Sequence, residues 1–173
     1  MDAGARTNHA RAMSFVPSTY LDLPIGGGCQ CGAVRYEITA APHDANYCHC
    51  RMCQRATGGP FGVFATVKRD AFRFTEGPPA YFESSSVAKR GFCPKCGTPL
   101  TFEYLASDSI SFTIGSFDEP DALPPAYHTG CESQVSWLHI ADDLPKDTTP
   151  YGAGTPTEGM TNHQSKSSRV GHL

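Results

Sequence analysis

Gly28-Cys29-Gln30-Cys31-Gly32-Ala33-Val34-Arg35-Tyr36-Glu37-Ile38 carries two signals side by side. The first is Cys29-x-Cys31. In an extended segment residues i and i+2 point to the same side, so both sulfurs can reach one ion. Gly26, Gly27 and Gly28 before the pair and Gly32 after it let the backbone crowd a metal. The second signal is alternation. Val34, Tyr36 and Ile38 interleave with Arg35, Glu37 and Thr39, the pattern of a half-buried strand.

The β pattern continues outward. Phe61, Val63, Ala65 and Val67 alternate, with Phe64 on the other face. Phe72–Phe74, Tyr81-Phe82, Leu100–Tyr104, Ile110–Ile114 and Trp137–Ile140 complete the expected strands. Gly58-Gly59-Pro60, Gly77-Pro78-Pro79, Gly97 and Pro124-Pro125 punctuate them. Many short strands between turn signals predict an all-β sandwich or irregular barrel. One short helix is expected over Cys50–Thr57, closed by Gly58. Residues 1–23 read as a loose arm and 24–145 as the folded domain. Residues 146–173 are rich in Gly, Pro and polar side chains and read as a disordered tail.

At 173 residues the chain is one domain by length, with a net charge of −3 and a pI near 6.1. That balance argues against a nucleic-acid surface, which needs a clustered basic face. No apolar run approaches the roughly 20 residues of a bilayer span. Residues 1–20 contain no secretory signal. The expectation is a cytoplasmic protein, whose cysteines are metal ligands or reactive thiols rather than disulfides. The even count of eight cysteines would suit a disulfide framework. Pairs as tight as Cys29/Cys31, however, fit disulfide geometry poorly.

Seven of the eight cysteines fall into three clusters: Cys29/Cys31, Cys48/Cys50/Cys53 and Cys93/Cys96. Cys93-Pro94-Lys95-Cys96-Gly97 has the two-residue gap of a zinc knuckle and needs a second pair, which Cys29 and Cys31 supply. The four together make a closed structural site. Cys48, Cys50 and Cys53 supply three thiolates, the pattern of a catalytic zinc with one open position. Cys131 as a fourth ligand would instead make a second structural site, and His49 or His128 are further candidates to close it. Two zinc ions per chain follow.

These motifs resemble the glutathione-dependent formaldehyde-activating enzyme family, also called the CENP-V/GFA domain family. The matching pieces are Gly28–Tyr36, Cys48–Gly58 and Phe92–Leu100, with Trp137–Pro145 similar to the family's usual ending. The resemblance covers about residues 24–145. It implies an Mss4-like fold, here a zinc-stapled β-sandwich or tent of short antiparallel strands. It implies structural zinc on Cys29, Cys31, Cys93 and Cys96. A second zinc on Cys48, Cys50 and Cys53 would be associated with glutathione and activity.

The functional expectation is a zinc-dependent carbon–sulfur lyase. It would act on glutathione as co-substrate and on formaldehyde or a related small aldehyde, forming or cleaving an S-hydroxymethyl adduct. Arg51, Arg55 and Arg90 are candidates to hold the thiol's carboxylates, by position alone. His49 is a candidate proton shuttle, although its place between two ligands favours an outward ring. The alternatives are a non-catalytic zinc-binding interaction or chaperone module and a reductase of oxidised methionine. The reductase would need Cys131 as its nucleophile.

Overall fold

The computed structural model describes residues 21–150 and 155–161. The chain is mainly β, with ten strands in two sheets and one short α-helix among these residues. The smaller sheet has the order β1-β2-β5, from β1 (Ile25–Gly28), β2 (Arg35–Ile38) and β5 (Phe72–Glu76). The larger has the order β10-β3-β4-β9-β8-β7-β6. Its members are β3 (Asp44–Cys48), β4 (Gly62–Lys68), β6 (Ala80–Ser85), β7 (Ala88–Phe92), β8 (Pro99–Tyr104), β9 (Ser109–Thr113) and β10 (Tyr127–Thr129).

Pairing is antiparallel except at one edge, where β10 runs parallel to β3. A parallel partner requires a long connection, and here the chain returns to β3 only after β9. Trp137–Ile140 forms no strand, contrary to its sequence pattern. It runs in turns and irregular chain, with Trp137 70% exposed.

The core lies between the sheets. Val34, Tyr36 and Ile38 face Ala65, Val67, Leu100, Ile110 and Phe112 from the larger sheet. The Tyr36 and Phe112 rings lie 4.4 Å apart, and the Tyr36 hydroxyl meets Ser116 Oγ at 2.6 Å. Burying each such side chain contributes about 1.5–3 kcal/mol. The glycine run in β1 serves this packing. A Cβ on Gly27 would collide with Cζ and the hydroxyl oxygen of Tyr36 and lie 2.7 Å from the Ser116 carbonyl oxygen. At Gly26, Gly27 and Gly28 the close neighbours are Asp118, Tyr36 and the Val34 backbone with Arg35, rather than the metal-site sulfurs the sequence reading expected.

Alternation gives the larger sheet a second face of different character. Asp44, Thr66 and Ser111 stand opposite one another across β3, β4 and β9 on that face. Phe102 and Arg90 continue it across β8 and β7. Thr149, Pro150, Pro156, Thr157 and Met160 border this side. Thr149 binds Glu132 through its hydroxyl at 2.6 Å, and Thr161 and Ser86 exchange hydrogen bonds of 2.9 and 3.0 Å. Most of the arm expected over 1–23, and residues 151–154 and 162–173 of the expected tail, lie outside the described residues.

Candidate active site

The two hairpin tips built around cysteines are closed by the same backbone hydrogen bond, from a cysteine amide to the carbonyl five residues on. In the β1–β2 connection the Cys29 amide donates to the Val34 carbonyl, and the Gly32 amide donates to the Cys29 carbonyl. In the β7–β8 connection the Cys93 amide donates to Thr98, and the Gly97 amide donates to Cys93. Gly32 and Gly97 have φ of 74° and 77°, and a Cβ at either would meet nothing within 4 Å. These glycines are therefore required by the left-handed conformation rather than by crowding.

The two tips face each other. Cys29, Cys31, Cys93 and Cys96 bring their sulfurs within 4.8 Å of one another, with Cys29–Cys31 at 3.6 Å and Cys31–Cys93 at 3.8 Å. Tetrahedral zinc with bonds of about 2.3 Å needs sulfurs about 3.8 Å apart, so the set fits that ion. The Val34 and Lys95 amides point at Cys29 and Cys93 Sγ, at 3.3 and 3.4 Å. Hydrogen bonding by Thr98, from hydroxyl and backbone, pulls the Cys96 thiol down to about 5. Amide and hydroxyl donors of this kind suit thiolates.

The second cluster is built at a corner. Cys48 ends β3, Cys50 caps the helix α1 (Arg51–Thr57), and Cys53 lies in its first turn. The Cys50 sulfur accepts from the Cys53 amide at 3.4 Å. The helix ends at Gly58, which has a φ of 73°, and its amide donates to Gln54. So short a helix has little stability alone. Gln54 anchors it, donating through Nε2 to the His49 carbonyl at 2.6 Å and the Ser133 carbonyl at 2.9 Å. The three sulfurs lie within 4.8 Å of one another. Hydrogen bonds with Cys48 and Cys50 hold the Cys53 thiol well below its ordinary range. Burial opposes this, and the positive Arg90 adds to it. Hydrogen bonds with Cys50 and Cys53, together with burial, push the Cys48 thiol up.

Cys48, Cys50 and Cys53 border a cavity of about 320 Å³ over the polar face of the larger sheet. Arg90 also lines it, stacking on the Phe102 ring at 4.8 Å and donating to Cys53 Sγ at 3.4 Å. Pro150, Pro156, Thr157 and Met160 contribute to the wall. Arg51 lies beside Gln54, its hydrogen-bond partner, and Arg55 is exposed near the helix end; neither lines the cavity.

Cys131 joins neither metal-competent group among the described residues. It follows Gly130 in a 3-10 turn, its amide bound to Asp147, and burial pushes its thiol up. That is the wrong direction for a nucleophile. His49 is fully buried, contrary to the outward ring expected from its place between two ligands. Alternation in an extended segment turns it away from Cys48 and Cys50, but into protein. Its Nε2 meets His128 Nδ1 at 2.8 Å, and His128 Nε2 meets both Asp142 carboxylate oxygens at 3.1 Å. A carboxylate can only accept here, so His128 donates from Nε2 and accepts at Nδ1 from His49 Nε2–H. His49 Nδ1 is left buried without a partner among the described residues. This Asp142–His128–His49 line was not legible in the sequence. It joins three segments, and only its Cys-His-Cys portion is a local motif.

Among the described residues no helix is long and apolar enough to cross a membrane. The model of the glutathione-dependent formaldehyde-activating enzyme family matches residues 24–133. An uncharacterised lyase of Schizosaccharomyces pombe is 33% identical over 78 residues, covering 45% of this chain and 56% of the relative. A Halomonas elongata protein named "Putative glutathione-dependent formaldehyde-activating enzyme" is 26% identical over 145 residues, covering 78% of this chain and 90% of its own length. A solved Rhodobacter sphaeroides protein shares 20% identity at a TM-score of 0.47, covering 72% of this chain and all of that one. The family match spans both cysteine clusters and all ten strands, and this chain belongs to the glutathione-dependent formaldehyde-activating enzyme family.

Proposed function

We propose that the protein is a carbon–sulfur lyase that forms or cleaves the adduct of glutathione, or a similar thiol, with formaldehyde or a related small aldehyde. The observation that carries this reading is the asymmetry of the cysteine clusters. Four thiols close on one another between two hairpin tips, whereas three border a cavity. Zinc held by Cys48, Cys50 and Cys53 would supply an open coordination position and lower the pKa of a guest thiol. In the forward direction the thiol loses its proton, its sulfur bonds to the carbonyl carbon, and the carbonyl oxygen gains a proton. The reverse breaks the same carbon–sulfur bond.

The chain's residues supply placement. Arg90 presents its guanidinium beside Cys53 and stabilises negative charge at that end. The cavity holds the thiol and the aldehyde together, which replaces a bimolecular encounter by an intramolecular one. The thiol-rich clusters suit a reducing compartment, in keeping with a cytoplasmic enzyme.

The test is exchange spectroscopy of glutathione and formaldehyde with the zinc-loaded protein. Wild type should accelerate adduct exchange over the spontaneous rate, and Cys53→Ser should abolish the acceleration. Wild type matching the spontaneous rate would leave a zinc-binding interaction module as the better reading.

A further inference from the structure

Asp44, Asn46 and Cys48 occupy alternate positions of β3, and all three border the cavity. The first and last are separated by about 13 Å at strand spacing. Among the described lining residues, Asp44 and Arg90 are the only charged side chains. Arg90 sits at the thiol end, on Cys53. Asp44 sits at the opposite end of the strand. Between them the wall is hydroxyl and aromatic, with Thr66 Oγ1 and Ser111 Oγ 2.9 Å apart. The two charges of the cavity thus stand apart, Arg90 on β7 against Cys53 and Asp44 on β3 across the sheet from it.

The Asp44 carboxylate is held in place. Its Oδ2 accepts from the Tyr127 hydroxyl at 3.0 Å, which leaves Oδ1 for a ligand. Among the described residues no cationic side chain other than Arg90 lines the cavity. A half-buried carboxylate facing a cavity is best satisfied by a cation.

We infer that Asp44 receives the ammonium group of the thiol substrate, so that the site selects γ-glutamyl thiols. This rests on the reading above that the substrate sulfur sits at Cys48, Cys50 and Cys53. The spacing supports it. In a γ-glutamyl thiol, eight bonds separate sulfur from the ammonium nitrogen, roughly 10 Å when extended. A charge-assisted hydrogen bond of about 2.8 Å completes the span to Asp44. Free cysteine carries its ammonium two carbons from sulfur and cannot reach both ends.

The experiment is titration calorimetry on the zinc-loaded full chain with glutathione, N-acetylglutathione and cysteine. N-acetylation removes the positive charge and adds an acetyl group, so loss of the discrimination in Asp44→Asn is what assigns the effect to charge. N-acetylation should weaken binding to wild type about tenfold. Asp44→Asn should weaken glutathione by a similar factor and bind the two peptides alike. Tyr127→Phe, which removes the hydroxyl but keeps the carboxylate, should still discriminate between them. Cysteine should bind no better than N-acetylglutathione. Equal binding of glutathione and N-acetylglutathione by wild type would overturn the role of Asp44 and leave the thiol site standing. That comparison needs no variant, so it decides even if Asp44→Asn fails to fold. No glutathione binding by wild type would overturn the thiol site itself, and the Asp44 subsite with it.

Discussion

The two cysteine clusters use the same atoms in opposite ways. Cys29 and Cys31 belong to a hairpin tip of the smaller sheet, and Cys93 and Cys96 to a hairpin tip of the larger one. An ion shared by them ties together segments more than 60 residues apart in sequence, Cys31 and Cys93 being 62 apart. Cys48, Cys50 and Cys53 come from one corner of one sheet. Their ion would close a short loop and join nothing remote. Cross-linking gains more from long closures than from short ones. On the proposed reading, the first cluster stabilises the fold and the second presents a metal to the cavity it borders.

The largest expected effect separates them directly. Cys96→Ser should remove much of the roughly 10–16 kcal/mol that a structural zinc contributes, and abolish cooperative unfolding. Cys53→Ser should keep the cooperative transition, with a shift of less than about 4 °C, near 1 kcal/mol. Calorimetric melting with zinc analysis checks both. Equal melting of the two variants would erase the distinction.

Gly130 offers a subtler break. Its φ is 68°, and a Cβ there would lie 2.7 Å from the Cys50 amide nitrogen. Gly97 has a similar φ of 77° but open space around it. Gly97→Ala should cost about 1–2 kcal/mol, the left-handed penalty alone. Gly130→Ala should cost more and should displace the ligand loop. Cobalt substitution, read by the ligand-to-metal bands, should show one normal site and one perturbed site in Gly130→Ala. Two unperturbed sites would mean that the loop yields without disturbing its sulfurs.

The Asp142–His128–His49 line should tune only the second cluster. His49 lies between two ligands, and its ring is fixed from behind by His128. Loss of a hydrogen bond made directly to a ligand typically lowers metal affinity about 10–100-fold, whereas this line reaches Cys48 and Cys50 only through the His49 backbone. Asp142→Asn should weaken zinc binding at Cys48, Cys50 and Cys53 by less than about tenfold and leave the other cluster unchanged. Competition with a chromogenic chelator measures this. Equal weakening at both clusters would point to general destabilisation.

The smallest effect concerns another connection near the smaller sheet. Arg35 in β2 pairs with Asp118 at 2.8 and 2.5 Å. Arg35 holds the Asp118 carboxyl below its ordinary range. A lowered folded-state pKa adds stability above the ordinary carboxyl pKa, and that stability is lost as pH falls through the lowered value. Both groups are partly exposed, so screening keeps the contribution below about 1 kcal/mol. Asp118→Asn should shift melting only slightly at neutral pH and not at all in strong acid. A loss comparable to that of Cys96→Ser would mean that the sheets are not held chiefly by the metal staple.

Local chemistry made much of this legible in advance. Cys-x-Cys and Cys-x-x-Cys spacings gave the ligand groups, because metal geometry limits how far apart ligands from one turn can lie. Period-two alternation gave most strands, because a sheet with one buried face sorts side chains by parity. Trp137–Ile140 misled because a short apolar run has the same appearance whether it pairs or not. Hydrogen-bonded neighbours decide that, and this segment has no strand partner.

What the amino-acid sequence determined by itself was the inventory: seven clustered thiols, a helix start at Cys50, a β-rich chain and a family. What only the tertiary structure decided was company. Parity in β3 places Asp44 on the side of Cys48, but only the packing of β4, β7, β8 and β9 makes that side a cavity with Arg90 at one end. Likewise, only the parallel return of β10 sets His128 against His49. These partners are separated by tens of residues, and sequence spacing carries no distance across a sheet. Contacts between strands depend on topology and register, which the whole fold fixes together.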